Sequence, residues 1–133
     1  MTISDREMEL REGLGIPGDA EKVLFFSESS HWDPNWMFTS KEYYRLRINS
    51  VLNGAVRECE AEPRRIFGIE CIFFLKMFWE KRADRRDSVR RLINEGRFRL
   101  TGTGMGTPDT CVPGVEAIIR DYLLGQEWLR GNG

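Results

Sequence analysis

The sequence predicts an α/β fold built on parallel strands, and three observations predict it. Short apolar runs rich in β-branched and aromatic residues alternate with amphipathic helical stretches in the order β-α-β-α-β-α, which demands right-handed crossovers between parallel strands. Three such units occupy Lys22 to the end, each a little over the roughly 30 residues that a βαβ step requires. The 133 residues fall well short of the ~250 that a closed β/α barrel typically takes, so the pattern reads as the first part of something larger.

Residues 1–21 form a polar leader. Ser4 and Glu7 have the spacing to cap a short helix there, and Gly13, Gly15, Pro17 and Gly18 mark a turn before residues 22–133, the partial β/α domain. Val23 to Phe26 is too short and too apolar for a surface helix and predicts a first strand buried on both faces. Thr39-Ser40-Lys41-Glu42 has capping-box spacing, in which hydroxyl and carboxylate satisfy each other's orphan backbone N–H groups, so a helix starts there. Tyr44, Leu46, Ile48, Val51, Leu52, Ala55 and Val56 recur at helical spacing and carry it to about Cys59, with Pro63 closing the connection. Ile66 to Phe74 is a second β-rich run, and Leu75 to Glu80 reads equally as helix or as strand extension. Arg85 to Glu95, with Val89, Leu92 and Ile93 on one side and Gly96 as a stop, predicts the next helix. Arg97 to Thr101 alternates as a third strand. A loop with Gly102, Gly104 and Gly106 then leads past Pro113 to a helix carrying Val115, Ile118, Ile119, Tyr122, Leu123 and Trp128.

Charge and composition exclude whole classes of function. Twenty Lys and Arg stand against 21 Asp and Glu, a formal net charge of -1, which offers no general attraction to nucleic acid or to a negatively charged membrane surface. The longest apolar run, Ile66 to Leu75, is interrupted by Glu70 and is shorter than the roughly 20 residues of a membrane span. Met1 to Glu12 has no apolar core before a small-residue cleavage site, so nothing there marks secretion. Cys59, Cys71 and Cys111 are odd in number and widely spaced, which signals neither a disulfide framework nor a thiolate zinc site and suits a reducing cytoplasm.

Chemistry concentrates in Ser29-Ser30-His31-Trp32-Asp33-Pro34-Asn35-Trp36, directly after the first strand. In an extended segment residues two apart share a face, so the only imidazole of the chain and the Asp33 carboxylate can converge on one cation. Pro34 keeps Asp33 out of the helical region, and a nitrogen with an oxygen donor suits zinc or a similar divalent metal. The C-terminal end of a parallel strand is where β/α barrels build active sites. The competing reading makes His31 a surface or capping residue and Asp33-Pro34-Asn35 a turn. Trp36 either offers an apolar face to a sugar ring or packs under the loop, while Trp32 points the other way and is assigned to packing. Glu70, inside an apolar run, requires a partner, either as a polar contact at a barrel mouth or in a salt bridge. Asp109 is a site wall or an Asx turn. The glycine loop is not a dinucleotide fingerprint, because Thr107 stands where the third Gly belongs and the helix is delayed. The basic run from Lys81 to Arg91 reads as a solvated helix face.

Taken in order, these residues resemble the N-terminal catalytic domain of glycoside hydrolase family 38, the α-mannosidases, over about Val23 to Leu129. The resemblance rests on Ser30-His31-Trp32-Asp33 with Trp36, Glu42-Tyr43-Tyr44, Glu70 before Phe73-Phe74, and Arg90-Arg91-Leu92 with Glu95-Gly96-Arg97. Pro108-Asp109 and Tyr122-Leu123-Leu124-Gly125-Gln126 complete the series. It implies a seven-stranded β/α barrel of the glycoside hydrolase/deacetylase type, of which this chain is the N-terminal portion of about three β/α units. It also implies one metal, usually zinc, held by His31 and Asp33 with an Asp and a His from later segments, so that half the site lies in this chain. Trp36 would line the pocket beside the mannose ring. The implied reaction is retaining hydrolysis of an α-mannoside or oligosaccharide by an Asp nucleophile and a carboxylic acid/base.

The sequence departs from the family in lacking the Asp-x-Phe-Gly-His segment of the nucleophile. Nucleophile, acid/base and last His ligand are therefore expected beyond Gly133, no catalytic residue is assigned within the chain, and the polypeptide alone is expected neither to hydrolyse mannosides nor to hold zinc tightly. The open sheet edge after the third strand predicts self-association. Two other classes compete: a non-catalytic carbohydrate-binding or regulatory domain that keeps the Trp36 pocket, and a metal-dependent deacetylase of a related barrel type. The deacetylase would need further His ligands, and His31 is the only one.

Overall fold

The computed structural model describes residues 4–24, 26 and 28–132. A charged helix, α1 (Asp5–Gly13), begins at Ser4, whose side chain accepts from the Glu7 backbone N–H, and buries none of its residues.

Three chain segments then run parallel. β1 (Phe67–Ile69) pairs with β2 (Phe98–Leu100) in the register Phe67↔Phe98 and Ile69↔Leu100, and a single bridge sets Ser29 beside Gly68. The Ser30 N–H donates to the Gly68 carbonyl at 3.0 Å, and the Gly68 N–H donates to the Glu28 carbonyl at 2.8 Å. Gly68 is required at this crossing, since a Cβ there would lie 2.9 Å from the Ser29 Cβ.

The expected first strand is corrected. Phe25 lies outside the described residues, but Val23 and Leu24 are not in a strand, and Leu24 and Phe26 are exposed. Nothing among the described residues covers this stretch, so its pairing begins only at Glu28 and Ser29. The second run is also shorter than expected, because α4 (Ile72–Lys81) starts two residues after Glu70. Its first two N–H groups donate to the Gly104 and Met105 carbonyls at 3.0 and 2.8 Å, and Ile72, Phe74, Leu75, Phe78 and Trp79 are buried at helical spacing. Leu75 to Glu80 is therefore helix.

The helical segment after the His31 loop opens as α2 (Ser40–Tyr43), passes through a π-helical stretch (Tyr44–Ile48) and continues as α3 (Asn49–Ala61). Both halves of the Thr39–Glu42 capping box form, and those hydrogen bonds hold the Glu42 carboxyl below the usual carboxylate range. Ile48, Leu52, Ala55, Val56 and Cys59 are buried, whereas Leu46 and Val51 are exposed. Leu46 sits inside the π stretch, where the extra residue in the turn carries it off the buried face. Asn35, with φ of 59°, turns the chain into this helix and accepts from the Ser40 N–H at 2.8 Å and the Ser40 hydroxyl at 2.9 Å.

α5 (Arg86–Asn94) buries Val89 and Leu92, and Gly96 with φ of 69° ends it. Its basic residues are engaged: Arg91 pairs with Glu60 at 2.8 Å and Arg90 lies 5.1 Å from the Trp79 ring. α6 (Val115–Asn132) meets the core through Trp128 and Leu129, while Val115, Ile119, Tyr122, Leu123 and Leu124 are exposed. Its C-terminal end packs on α4 and α5, with the Trp128 ring edge-on to Trp79 at 6.1 Å, and the rest of the expected apolar face is left open. The core itself gathers Phe67 and Phe98 from the strands with Ile48, Leu52, Ile72, Phe74, Phe78 and Leu92 from the helices. All three cysteines are free, and among the described residues no helix is long and apolar enough to cross a membrane.

Two glycine comparisons test the packing. Gly125 sits beneath the glycine loop, where a Cβ would lie 2.1 Å from the Thr103 carbonyl oxygen, whereas a Cβ on Gly54 in α3 meets nothing within 4 Å. Gly125→Ala is expected to destabilise by about 1–3 kcal/mol through overpacking, and Gly54→Ala to stabilise by about 0.5–1 kcal/mol through helix propensity, both read by urea unfolding. At Asn35, Asn35→Ala is expected to cost about 1–2 kcal/mol and Asn35→Gly less, because glycine keeps the left-handed backbone and loses only the hydrogen bonds. Equal costs would show that the backbone conformation is not what matters there.

Candidate functional site

The parallel register assembles the site at the C-terminal ends of the strands. Counting two residues on from the Ser29–Gly68 bridge reaches His31 on one segment and Glu70 on the next, on the same face and one strand spacing apart. Their side chains meet, with His31 Nδ1 2.5 Å from Glu70 Oε2. Glu70 thus has the partner that an acidic residue in an apolar run requires, and that partner is the imidazole.

The other ring nitrogen faces Asp33, with Nε2 3.8 Å from Oδ2. His31 and Asp33 are both exposed at this edge, at 67% and 51% of their side-chain surface. Donors at tetrahedral positions around zinc, each about 2.0–2.1 Å from it, lie roughly 3.4 Å apart, so the pair at 3.8 Å is within a few tenths of an ångström of that spacing and has suitable donor chemistry. Among the described residues no group of three His, Cys, Asp or Glu side chains could hold a metal. The chain therefore offers two donors, and Glu70 is turned to the far side of the ring.

Trp32 packs inward, its ring edge-on to Phe74 with centroids 6.0 Å apart, as the alternation along the segment requires. Trp36 does the opposite. It is 76% exposed and does not pack under the loop. The loop behind it is fixed by Tyr43, whose hydroxyl accepts from the Met37 N–H at 3.3 Å and whose ring stands edge-on to Phe38 at 5.4 Å. Asp109 does not join the site; its carboxylate accepts from the Cys111 N–H at 3.2 Å in an Asx turn.

On the other side of Glu70 an open cavity of about 310 Å³ is walled by Thr101, Gly102, Gly104, Thr107 and Tyr122. Its glycines are closely held: a Cβ on Gly102 would lie 2.2 Å from the Glu70 carbonyl oxygen, and one on Gly104 2.3 Å from Asp121 Oδ2. Asp121 also accepts from the Gly106 N–H at 2.8 Å. Cys71, next to Glu70, is buried, and that burial pushes its thiol above the usual range. Sequence reasoning missed the His31–Glu70 contact, although the signal was present in one acidic residue standing at the end of a strand next in the sheet to the one that ends in His31.

The sequence is similar to proteins of one enzyme family. The family model described as "Glycosyl hydrolases family 38 N-terminal domain" matches residues 23–133. The chain is 32% identical over 129 residues to "Alpha-mannosidase 2x" of Mus musculus, covering 92% of this chain and 11% of that protein. It is 29% identical over 104 residues to "Alpha-mannosidase 2" of Spodoptera frugiperda, covering 77% and 9%, and 29% identical over 110 residues to "Alpha-mannosidase 2" of Homo sapiens, covering 82% and 10%. The chain spans about a tenth of the length of these curated relatives. With its small parallel α/β sheet and a match over nearly all of the sequence beyond the leader, the chain belongs to the glycosyl hydrolase family 38 N-terminal domain family.

Proposed function

We propose that this chain is the opening part of a retaining, zinc-dependent α-mannosidase barrel and that it supplies two metal donors and one sugar platform to that enzyme. The observation that carries the reading is the pairing of His31 Nε2 with Asp33 at 3.8 Å, both exposed at the strand ends where β/α barrels build their sites. A divalent cation held there contributes Lewis-acid coordination of substrate hydroxyls.

The chain's own residues do the rest of the binding work. His31 and Asp33 fix the direction from which a hydroxyl-bearing ligand approaches. Trp36, exposed and backed by the Tyr43-braced loop, presents a flat apolar face to the C–H side of a mannose ring. Retaining hydrolysis also needs a nucleophile and an acid/base roughly 5–5.5 Å apart. Neither is assigned among the residues of this chain, whose proposed part in the reaction is to bind metal and sugar.

The test is turnover of an aryl α-mannoside by a polypeptide extended through an Asp-x-Phe-Gly-His segment. Chelation is expected to abolish activity and added zinc to restore it. His31→Ala or Asp33→Ala is expected to lose about a hundredfold or more in kcat/KM, since each removes a ligand outright. Trp36→Ala is expected to raise KM by roughly tenfold, the value of one aromatic stacking surface. The 133-residue chain alone is expected to show no turnover and to lose zinc on dialysis. Sugar binding that survives chelation, without turnover in the extended protein, would replace this reading with that of a non-catalytic carbohydrate-binding module.

A further inference from the structure

We propose that Glu70 is a positioning residue that holds the proton of His31 on Nδ1 and so turns an unprotonated Nε2 toward Asp33. Its functional meaning rests on the metal reading of His31 and Asp33 given above. The geometry is asymmetric. Nδ1 to Glu70 Oε2 is 2.5 Å, a short hydrogen bond, whereas Nε2 to Asp33 Oδ2 is 3.8 Å, too long for one. An ionised carboxylate only accepts, so the ring nitrogen beside Glu70 must donate. A neutral imidazole carries one N–H, and with that proton on Nδ1 the lone pair lies on Nε2. Histidines that ligate metals usually donate their second nitrogen to a carboxylate in this way, which fixes tautomer and ring orientation together.

The contact is built by the sheet and is not a chance meeting of loops. Ser29 and Gly68 are register partners, and His31 and Glu70 each follow by two residues. Glu70 is also held from behind. Its carbonyl is pressed against Gly102, and Ile72, two residues on, starts α4 with its N–H on the Gly104 carbonyl. Glu70 is 28% exposed at its side chain against 67% for His31, so the acceptor is the less exposed partner and the Nε2 edge of the ring stays open.

Because His31 is the only histidine, its ring nitrogens can be observed by ¹⁵N NMR on the uniformly labelled 133-residue chain without assignment. Observed as the neutral imidazole, the wild-type ring is expected to show Nδ1–H in about tenfold excess or more, the preference conferred by one charge-assisted hydrogen bond. Glu70→Ala is expected to remove that preference, and Glu70→Gln, whose amide can accept or donate, to weaken it. A wild-type ring with its proton on Nε2 overturns the proposal even if the variants fail to fold. So does a tautomer ratio unchanged in folded variants. Millimolar zinc separates this inference from the metal reading. An Nε2 resonance that moves on zinc addition while Nδ1–H persists supports both. An Nδ1–H ring indifferent to zinc supports the Glu70 role by itself, and the metal reading then falls or stands on the chelation test of the extended protein.

Discussion

The close crossing at Gly68 is the constraint on which the rest depends. With no side chain at this position, the Ser29 segment can approach β1 to hydrogen-bonding distance, and the two backbone bonds made there fix which residues leave the sheet together. A slip of one residue would turn His31 to the opposite face. A larger side chain at Gly68 would push the Ser29 segment off the edge altogether. The chemistry of the imidazole is therefore settled two residues earlier, in a backbone contact that involves no functional side chain.

A second set of backbone contacts does the same for the other wall. The loop after β2 has no room for side chains at Gly102 or Gly104, because the Glu70 carbonyl lies against one and the Asp121 carboxylate against the other. Its carbonyls terminate the orphan N–H groups of α4, and α6 crosses it at Gly125. Strand ends, helix start and final helix are thus locked around the site by atoms that every residue possesses, with glycine supplying the clearance. The functional side chains sit on this frame, consistent with membership of a glycoside hydrolase family whose relatives are named α-mannosidases.

Much of this was legible in the sequence where a local rule applied. The Thr39–Glu42 capping box, the Gly96 stop and the inward turn of Trp32 each follow from a few neighbouring residues, and each is present. What local rules could not supply was environment. Val23 to Phe26 has the composition of a buried strand, but Leu24 and Phe26 find no covering layer among the described residues. Ile72 to Phe74 has β-forming side chains yet turns helical, because the carbonyls that cap it come from a loop more than thirty residues away. Leu46 fits the helical period on paper and misses the core because of a π turn that the period does not encode. At the site, the spacing of His31 and Asp33 was readable, while the Glu70 contact required knowledge of which strands are neighbours.

In many α/β proteins the first turn of a helix after a strand is a cradle for phosphate, because its N–H groups are free and its dipole favours negative charge. Here the Ile72 and Phe73 N–H groups are already taken by the Gly104 and Met105 carbonyls, and the carboxylates of Asp33 and Glu70 stand at the same edge. The first turn of α4 is therefore tied to the glycine loop instead of being presented to a ligand. What that helix start gives up as an anion cradle it returns as stiffness, since the same two hydrogen bonds tie the residues just after Glu70 to the loop on which α6 rests.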